Sequence, residues 1–580
     1  MNGQKKKVVI VGIYLPGIYP SGDDEVTSRL LSTSFLKAAA ISDPEISAHY
    51  DIEILDIPTT TDPHKIAEQI CEHNPSIVAY SVYMWNYDQM SESLRIIKRS
   101  RPEIRVILGG PLVTYTPDEV FQKNPGTDII VCGEAGEIRF KQLLKSDFSS
   151  ASLSQIPKIA YRDEDGKIIH TGGVVKEDVG QIPSIYETRA LDLDDGRRHT
   201  VFVETFRGCP FSCGYCIWGP EDSAIHKFDL DQLCRDIEII YNNPNVEVVV
   251  FTDACLFYTR SRARVICNKI ASCSRKIPTV LTLDAHVLDE DMVLHLNKIN
   301  LYQDQWHFGL QTTNPAALEL LERPGGGGPD KYIQKMGLLR KVLPSAEVSF
   351  DIIYGLPGDD YEHFRESVNF TLDLKPSKIH FSPLLLLPGT RFFNERDKFG
   401  FVYDDDPPYM VRSNATFSAD DMQKAIRLVL WTMAALYFPA IRDTIYKISQ
   451  HNSEHRQIDL IEKWAEILRR KVDPLTGIKH EFTIEANNVA RRTVMNTLAK
   501  PENCVYCYEA MLELLEICDA EHLAEDVLLG IEFYKAVCKG NGSQIEASSF
   551  QDPDQLVDQG IFNVKDKSKL EYVKTAWVST

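Results

Sequence analysis

Three cysteines lie close together at Cys209, Cys213 and Cys216, in the segment Arg-Gly-Cys-Pro-Phe-Ser-Cys-Gly-Tyr-Cys. Three thiolates at this Cys-x3-Cys-x2-Cys spacing can each hold one iron of a four-iron, four-sulfur cluster. The motif leaves the fourth iron without a cysteine, so that iron can bind an external ligand and take part in chemistry. The spacing therefore predicts a [4Fe-4S] cluster with one open iron.

Two other kinds of cysteine site fit the sequence less well. A zinc site would need a further cysteine or Cys/His pair at regular spacing downstream. A disulfide framework is typical of short secreted chains, whereas this chain has 13 cysteines in 580 residues. Free thiols and an oxygen-sensitive cluster both fit a reducing compartment, and we expect the protein in the cytoplasm. The next cysteines are scattered through helical or strand-like sequence, at Cys234, Cys255, Cys267 and Cys273.

The composition makes some partners improbable. A net charge of −20 argues against a nucleic-acid backbone, which needs a basic protein face. We find no apolar run near the roughly 20 residues that a membrane-spanning helix requires. The charged amino terminus shows no signal peptide. We therefore expect no nucleic-acid partner and no membrane, and a length of 580 residues suggests two to four globular domains.

Residues 1–150 alternate apolar strands with amphipathic helices. This alternation is typical of a parallel, doubly wound sheet, which binds ligands beyond the carboxyl ends of its strands. Several of those ends carry glycines, which allow a backbone to approach a large ligand closely. Each glycine taken singly is equally an ordinary turn residue. The predicted strands are Lys7–Tyr14, Tyr50–Ile57, Ser76–Met84, Arg105–Leu108 and Asp128–Cys132.

A second alternation of strands and helices runs through residues 199–415. Six strands with intervening helices indicate an incomplete parallel barrel, whose active site would lie at the carboxyl ends of the strands. The cysteine loop follows the first strand, at one of those ends. The predicted strands are Thr200–Phe206, Glu247–Phe251, Thr279–Leu283, Gln305–Gly309, Glu347–Ile353 and Lys378–Pro383.

Two further segments differ in character. Residues 151–198 are polar and read as a linker that contains a hairpin, Lys158–Tyr161 with Lys167–His170. Residues 416–580 read as an α-helical domain, because apolar residues recur three and four positions apart. Cys504 and Cys507 in that domain leave a second metal site open, with ordinary buried or exposed thiols as the alternative.

These motifs together resemble the radical S-adenosylmethionine (SAM) enzymes, in particular the branch with an amino-terminal cobalamin-binding domain. The cysteine spacing with an aromatic residue before the last cysteine, here Tyr215, is that superfamily's signature. Segment 307–312 resembles its fourth-strand motif, segment 350–358 resembles the fifth-strand motif that lies against adenine, and Asp253 ends the second strand. The resemblance implies SAM contacts at Tyr215, Asp253, Gln311, Asp351 and Gly355.

Some of these residues have plainer alternative roles. Gln311 carries an amide that can hydrogen-bond ribose hydroxyls, but it can also be a satisfied polar residue of the barrel interior. Asp253 could pair with the ammonium of SAM or could cap a helix.

The turns at the carboxyl ends of the first sheet resemble those of the cobalamin branch. The nearest match to the cobalt-binding Asp-x-His-x-x-Gly motif of other cobalamin proteins is Asp62-Pro63-His64, but Ala67 replaces its glycine. Ligation of cobalt by a protein histidine is therefore in doubt, although cobalamin binding is not. The implied cobalamin contacts are Ser81, Tyr83, Trp85, Gly109, Gly110, Pro111, Gly133 and Glu134.

The resemblance implies a fold of mixed α/β class with three domains. They are a Rossmann-like cobalamin-binding domain over residues 1–150 and, after the linker, a partial (β/α)6 radical SAM barrel over residues 199–415. The α-helical carboxyl-terminal domain, 416–580, would cap the barrel and shape the substrate pocket. The implied cofactors are the [4Fe-4S] cluster, SAM and cobalamin.

The resemblance also implies the activity, a class B-like methyltransferase. It would move a methyl group from SAM through methylcobalamin to an unactivated carbon of a small molecule, such as a natural-product precursor. An electron donor such as flavodoxin or ferredoxin would reduce the cluster. Three alternatives stay open: rearrangement, ring contraction or cyclisation without methyl transfer; non-radical methylation of an aromatic carbon; and a non-catalytic cobalamin carrier. No residue beyond the cofactor contacts is predicted as catalytic.

Overall fold

A seven-stranded sheet forms the amino-terminal part of the chain. The structure, a computed structural model, describes residues 5–16, 26–133, 136–173, 178–218, 225–302, 305–323, 328–452, 454–471, 498 and 500–540. Five strands are parallel, and a hairpin adds two antiparallel strands at one edge. In order across the sheet, the strands are Tyr50–Pro58, Lys6–Tyr14, Ile77–Ser81, Arg105–Gly109, Ile129–Val131, Ile159–Arg162 and Ile168–His170.

The predicted doubly wound sheet is confirmed, and its strand order marks a ligand site. The order reverses between Lys6–Tyr14 and Ile77–Ser81, and sheets of this kind bind ligands beside such a reversal. Apolar residues on both faces of the strands form two separate core clusters under the flanking helices. Those helices are Leu31–Ile41, Pro44–His49, Pro63–Glu72, Tyr87–Ser100, Pro111–Thr114, Pro117–Lys123, Gly136–Lys145 and Ser150–Leu153.

Strands of the second region form a parallel curved wall, the partial barrel. All six predicted strands are present, within about two residues of the predicted bounds for most, and the third is interrupted at Leu281. A seventh, three-residue strand from the amino-terminal region, Val26–Ser28, pairs with the first barrel strand. The barrel strands are Arg198–Val203, Val246–Phe251, Thr279–Val280 with Thr282–Leu283, Gln305–Gln311, Glu347–Tyr354 and Lys378–Pro383.

Helices cover the outer face of this wall. The apolar faces of most of these helices share one continuous core with the strands. Three helices instead form a separate cluster at the strand ends: Pro315–Leu321, Arg391–Asn394 and Arg396–Phe399. Asp229, Asp289 and Asp360 each cap the amino terminus of a helix with a side-chain oxygen, which fixes where that helix begins. The barrel helices are Leu230–Asn242, Arg260–Ser272, Glu290–Leu296, Pro315–Leu321, Gly328–Val342, Tyr361–Asp373, Arg391–Asn394 and Arg396–Phe399.

The carboxyl-terminal region is helical, as predicted, and it packs directly on the barrel. Its helices belong to the same core cluster as the barrel strands. Arg365 of the barrel donates to Asp459 at 2.8 Å and to Glu462 at 2.6 Å. No single described helix is long and apolar enough to cross a membrane. The helices Ala419–Tyr437 and Pro439–His451 reach that length and apolarity only when they are counted together, and the angle between them is 106°. The other described helices here are Gln457–Lys471, Pro501–Ile517 and Glu525–Gly540.

Candidate active site

The cysteine loop leaves the carboxyl end of the first barrel strand. An antiparallel pair, Phe206–Arg207 with His226–Lys227, closes the base of this loop. The Arg262 guanidinium lies beneath the base and donates to the carbonyl oxygen of Thr205 at 3.2 Å. The base is therefore held by backbone and side-chain bonds independently of any bound group.

Inside the loop, backbone bonds orient the cysteines. The Cys216 amide donates to the Cys213 carbonyl at 2.9 Å, and Gly214 exchanges backbone bonds of 2.9 Å with Leu321 and Phe392. All three cysteines are partly buried and free of disulfides. Burial raises the pKa of the Cys213 thiol to about 12, so binding iron at this sulfur requires release of a proton.

The three cysteine sulfurs are not drawn together in the structure. A tetrahedral zinc with bonds of about 2.3 Å would bring three sulfurs to within about 4 Å of one another. Among the described residues, the three cysteine sulfurs do not form a group with all ligand atoms within 4.8 Å of one another. A four-iron cluster places each cysteine on a different iron, so it needs wider spacing. The three separated sulfurs are therefore consistent with the predicted cluster, and the cysteines as its ligands stay a prediction.

Asp253 holds the loop from below. Its buried Oδ1 accepts hydrogen bonds from the Thr205 and Phe206 amides, both at 2.9 Å, and from the Thr205 hydroxyl at 3.1 Å. Through Oδ1, Asp253 therefore positions the loop, and it is not the N-cap of either helix that follows. Pairing of its other oxygen, Oδ2, with SAM stays a prediction. Burial raises the pKa of Asp253 to about 7, although the backbone donors of Phe206 and Thr205 oppose this shift.

The raised pKa of Asp253 predicts a pH dependence of stability. Between about pH 4 and pH 7 the folded chain keeps a proton on Asp253 that the unfolded chain releases, so the free energy of unfolding falls as pH rises. Asp253→Asn keeps the acceptor oxygen but removes the titration, and should flatten this slope by about 1 kcal/mol per pH unit. Urea unfolding of the cofactor-free chain at pH 5, 6 and 7 measures the slope.

A matched substitution checks this assignment. The pKa of Asp289 is lowered, because hydrogen bonds from Met292 and Arg260 outweigh its burial, so Asp289 titrates below the window. Asp289→Asn should change the level of stability but leave the slope between pH 5 and 7 as in the unmodified chain. An unchanged slope in Asp253→Asn would contradict the assignment.

Opposite charges meet beside the cysteines. Asp284, directly after the third barrel strand, accepts from the Tyr258 hydroxyl at 2.8 Å and from Arg323 at 3.4 Å. Burial alone would raise the pKa of Asp284, but His286 and Arg323 outweigh it and lower the pKa. The Arg323 side chain is 10% exposed, and its buried Nε has no hydrogen-bond partner among the described residues. A buried guanidinium with a spare donor beside the cysteines suits an anionic group.

Polar side chains line the inner wall of the barrel. His307 Nε2 lies 2.9 Å from Asp351 Oδ2, and His307 Nδ1 lies 2.9 Å from the Ser349 hydroxyl. The His380 ring meets His307 edge-on at 4.9 Å. The side chains of His307 and Asp351 remain 24% and 34% exposed, so they face open space rather than a packed core.

Open space and aromatic rings meet at the carboxyl edge of the first sheet. The rings of Tyr83 and Trp85 stack at 4.4 Å, and Trp85 is 38% exposed. Among the described residues, a Cβ on Gly109 would have Val131 as its one neighbour within 4 Å, at 3.8 Å, so there is room beside this strand end. An exposed aromatic ledge with free space beside it fits a large, partly apolar ring system.

Comparison with known proteins assigns families to both regions. Residues 39–141 match the B12 binding domain family, and residues 203–371 match the Radical SAM superfamily. This chain joins a B12-binding domain to a radical SAM domain. It belongs to the cobalamin-dependent radical SAM enzymes, as the sequence motifs predicted.

Two named relatives are similar to more than half of this chain. The cobalamin-dependent radical SAM methyltransferase TokK of Streptomyces tokunonensis is 26% identical over 61% of this chain and 53% of its own length. The 2-(S-pantetheinyl)-carbapenam-3-carboxylate methyltransferase of Streptantibioticus cattleyicolor is 25% identical over 61% of this chain and 53% of its own. The chain thus spans about half the length of these curated relatives.

Two solved structures share the fold. OxsB, a cobalamin-dependent SAM radical enzyme solved with aqua-cobalamin and SAM bound, has a TM-score of 0.57 at 13% identity, covering 99% of this chain and 84% of its own. TsrM from Kitasatospora setae, solved with cobalamin and a [4Fe-4S] cluster, has a TM-score of 0.53 at 16% identity, covering 69% and 76%. The predicted cofactor set is thus the one bound in these structures.

The radical SAM domain brings some predicted SAM contacts together. Tyr215 packs against the apolar cluster at the end of the fifth strand, and the charge of Asp351 is near enough to act on its hydroxyl. Gln311 is buried, with a φ of 73°. One carboxylate oxygen of Asp351, however, is hydrogen-bonded to His307, and the prediction did not include this contact.

Two of the predicted glycines also have a reason within the protein itself. The sequence suggested that Gly110 and Gly355 let a ligand approach. A Cβ on Gly110 would lie 2.5 Å from the Val82 carbonyl oxygen, and one on Gly355 would lie 2.9 Å from Met422 Sδ. Both have positive φ, so the packing of the protein itself already requires glycine at these positions.

Other predicted cobalamin contacts are distributed along the same edge of the B12-binding domain. The Ser81 and Ser32 hydroxyls lie 2.7 Å apart, and Tyr83 donates to Ser32 at 3.3 Å. Pro111 begins a short helix after Gly110, and Gly133 donates its amide to Thr114 at 3.2 Å. Glu134 lies outside the described residues.

Sequence reasoning missed three charged residues of the site. Asp284 had a signal, because it follows a barrel strand and the same rule that placed the cysteine loop applies to it. Arg323 had none, because it comes after the helix that follows the fourth strand. Arg207 immediately precedes the Gly-Cys of the motif, but the motif is defined by its cysteines and gives no signal for the role of this arginine.

The second cysteine pair has a structural role. Cys504 and Cys507 lie on one buried helix; the Cys504 thiol donates to the Leu498 carbonyl at 3.1 Å, and the Cys507 carbonyl accepts from Trp464 at 3.0 Å. Within the described residues they join no group of three metal-ligand atoms. The plain-thiol alternative therefore describes them.

Proposed function

We propose that this chain is a methyltransferase that moves a methyl group from SAM, by way of bound cobalamin, to an unactivated carbon of a small molecule. The observation that carries the proposal is that the cysteine loop and the aromatic edge of the B12-binding domain are joined directly. Arg207, two residues before Cys209, pairs with Glu137, which lies just after the turn at Gly133. Two cofactors held there would face a common space.

The residues divide the work of holding these groups. Cys209, Cys213 and Cys216 would ligate the cluster, and Arg323 would neutralise the carboxylate of SAM at the open iron. Tyr215, Gln311 and Gly355 would surround its nucleoside. The chemistry that the bound groups supply is hydrogen abstraction by a radical from SAM and carriage of a methyl group by cobalamin. Cobalamin would contact Ser81, Tyr83, Trp85, Gly109, Gly110, Pro111, Gly133 and Glu134.

Substituting Arg323 tests its assignment. Arg323→Met removes a buried positive charge and its hydrogen-bond donors while keeping most of the apolar stem. We expect the affinity for SAM to fall about ten- to a hundredfold, the value of a charge-assisted pair. Isothermal titration of SAM into the anaerobic, cluster-loaded protein measures it.

The control for Arg323 is another largely buried arginine. Arg365, 13% exposed, pairs with Glu462 where the barrel meets the helical region, away from the cysteines. Arg365→Met should leave SAM affinity unchanged. Equal losses in both variants would assign the effect of Arg323 to general destabilisation.

The substrate would enter the space lined by the inner wall of the barrel. His307, Asp351 and His380 offer hydrogen bonds there, which suits a small molecule with polar groups, such as a natural-product precursor. Reduction of the cluster requires a one-electron donor, and we include flavodoxin or ferredoxin as the partner for it. The helical region, which places Met422 at Gly355, would close part of this space.

Labelled SAM tests the activity. The protein, reconstituted anaerobically with iron, sulfide and cobalamin, is given SAM carrying a 13C methyl group, a reductant and extracted small molecules of its source. Mass spectrometry should find labelled methyl in a product together with 5′-deoxyadenosine, as a class B-like route requires. Labelled product without 5′-deoxyadenosine would indicate the non-radical route, and 5′-deoxyadenosine without labelled product would indicate rearrangement.

A further inference from the structure

One guanidinium joins the two cofactor regions. Arg207 donates from Nη2 to Glu137 Oε1 at 2.8 Å, from Nη1 to Glu137 Oε2 at 3.1 Å, and from Nε to Glu204 Oε2 at 3.1 Å. Its carbon centre lies 5.4 Å from the Phe35 ring and 5.5 Å from the Phe228 ring. We name these five residues the Arg207 junction.

The members of the Arg207 junction come from opposite sides of the active site. Glu137 lies at the start of the helix Gly136–Lys145, which follows the last parallel strand of the B12-binding domain. Phe35 lies on another helix of that domain. Arg207, Glu204 and Phe228 belong to the base of the cysteine loop. The junction therefore fixes the position of one cofactor edge against the other.

The contacts of the Arg207 junction are better suited to fixing the relative position of the two regions than to stabilising the fold. The side chains of Arg207 and Glu137 are 16% and 8% exposed, so both charges are largely removed from water. A buried ion pair contributes little net stability, because desolvation offsets most of the attraction. A two-pronged arginine–carboxylate contact, however, fixes both distance and orientation, which a lysine or an apolar pair does not.

We propose that Arg207 is a positioning residue that sets the spacing and orientation between bound cobalamin and the iron–sulfur cluster through its two-pronged bond to Glu137. The proposal rests on the proposed function, since it presumes that both groups are bound. It concerns the relative placement of the two groups, and neither side chain is required to touch them.

The test uses two conservative variants of the full chain, Arg207→Lys and Glu137→Gln. Each keeps the size of its side chain and some hydrogen bonding but loses the two-pronged charged contact. The main readout is the electron paramagnetic resonance spectrum of the protein loaded with both groups and reduced, in which nearby cob(II)alamin and reduced cluster broaden each other's signals. We expect this mutual broadening to weaken or become heterogeneous, while iron content stays near that of the unmodified chain. The thermal unfolding temperature should fall only modestly, because in Glu137→Gln the Arg207 guanidinium keeps Glu204 as a charged partner.

A second readout needs no cluster. Titration of hydroxocobalamin into the cluster-free protein should show affinity reduced about tenfold in Glu137→Gln, because the turn that Glu137 follows is no longer held. Unchanged mutual broadening with unchanged affinity would overturn the proposal. Loss of broadening with a large fall in unfolding temperature would also overturn it, since Arg207 would then act on folding alone.

Two control variants test whether any ion pair between the two regions, or any largely buried arginine, has the same effect. Lys123→Gln removes another ion pair between the same two regions, with Asp406 at 2.6 Å, but one that is exposed. Arg365→Lys changes another largely buried arginine pair far from the turn. Both should leave the spectrum unchanged. If the unmodified chain binds no cobalamin or no cluster, the proposed function fails. If it binds both, and the two variants give the same spectrum and the same cobalamin affinity as the unmodified chain, this inference alone fails.

Discussion

Cys213→Ala is expected to abolish cluster assembly. The partly buried middle cysteine of the loop would hold one iron, and a four-iron cluster with only two protein ligands is not retained. Iron content after anaerobic reconstitution should fall from about four per chain to near zero. The brown absorbance, the paramagnetic signal on reduction and the cleavage of SAM to 5′-deoxyadenosine should all fall to background. Iron analysis, spectroscopy and product quantification measure these losses.

The matched control for Cys213 is a buried cysteine elsewhere. Cys507→Ala removes a fully buried thiol from the helical region and should cost only modest stability, about 1 kcal/mol, with iron content unchanged. Iron loss in Cys507→Ala would instead point to a second metal site. Retention of about four irons by Cys213→Ala would refute the assignment of the loop, and zinc in the unmodified chain would refute it more directly.

Regular elements of this fold were predictable because their signals are local. The first-sheet strand Lys6–Tyr14 is an almost continuous apolar run after its two lysines, typical of a parallel strand buried on both faces. The barrel strand Glu347–Tyr354 is rich in apolar residues but carries Ser349 and Asp351 within it. The cysteine spacing needs only one loop. The predicted strand Ser76–Met84 ends early, at Ser81, because the Asn86 side chain donates to the Ser81 carbonyl at 3.0 Å and accepts from the Tyr83 amide at 2.8 Å, which turns the chain.

Long-range pairings were not predictable in the same way. The hairpin Ile159–Arg162 with Ile168–His170 has a local turn signal, but nothing in it shows that it extends the first sheet rather than a linker. Val26–Ser28 is too short to carry a pattern, yet it pairs with the first barrel strand. Which groups surround a side chain depends on such pairings. Asp253 could therefore be found from sequence, but its bonding to the loop base could not.

Gly110→Ala should destabilise the B12-binding domain. Gly110 has a φ of +115°, and a Cβ there would lie 2.5 Å from the carbonyl oxygen and 2.9 Å from the amide nitrogen of Val82. Those atoms are backbone, so no side-chain rotation relieves the overlap. The strained φ alone costs about 1–3 kcal/mol, and the overlap adds a similar amount. We expect a stability loss of about 3 kcal/mol or more in urea unfolding, with cobalamin binding lost as a consequence.

Gly109→Ala should separate cofactor contact from folding. Gly109 is adjacent in sequence but has no positive φ, and its added Cβ would meet only Val131 at 3.8 Å, an ordinary contact. The protein itself therefore has room for the methyl group, and the urea midpoint should stay within error of the unmodified chain. If cobalamin packs on this strand end, the same methyl group occupies space that the cofactor needs, and affinity for hydroxocobalamin should fall about tenfold or more. A Gly109→Ala chain that folds normally and binds cobalamin with full affinity would place the cofactor away from Gly109, whereas a stability loss equal to that of Gly110→Ala would mean that both glycines serve the fold.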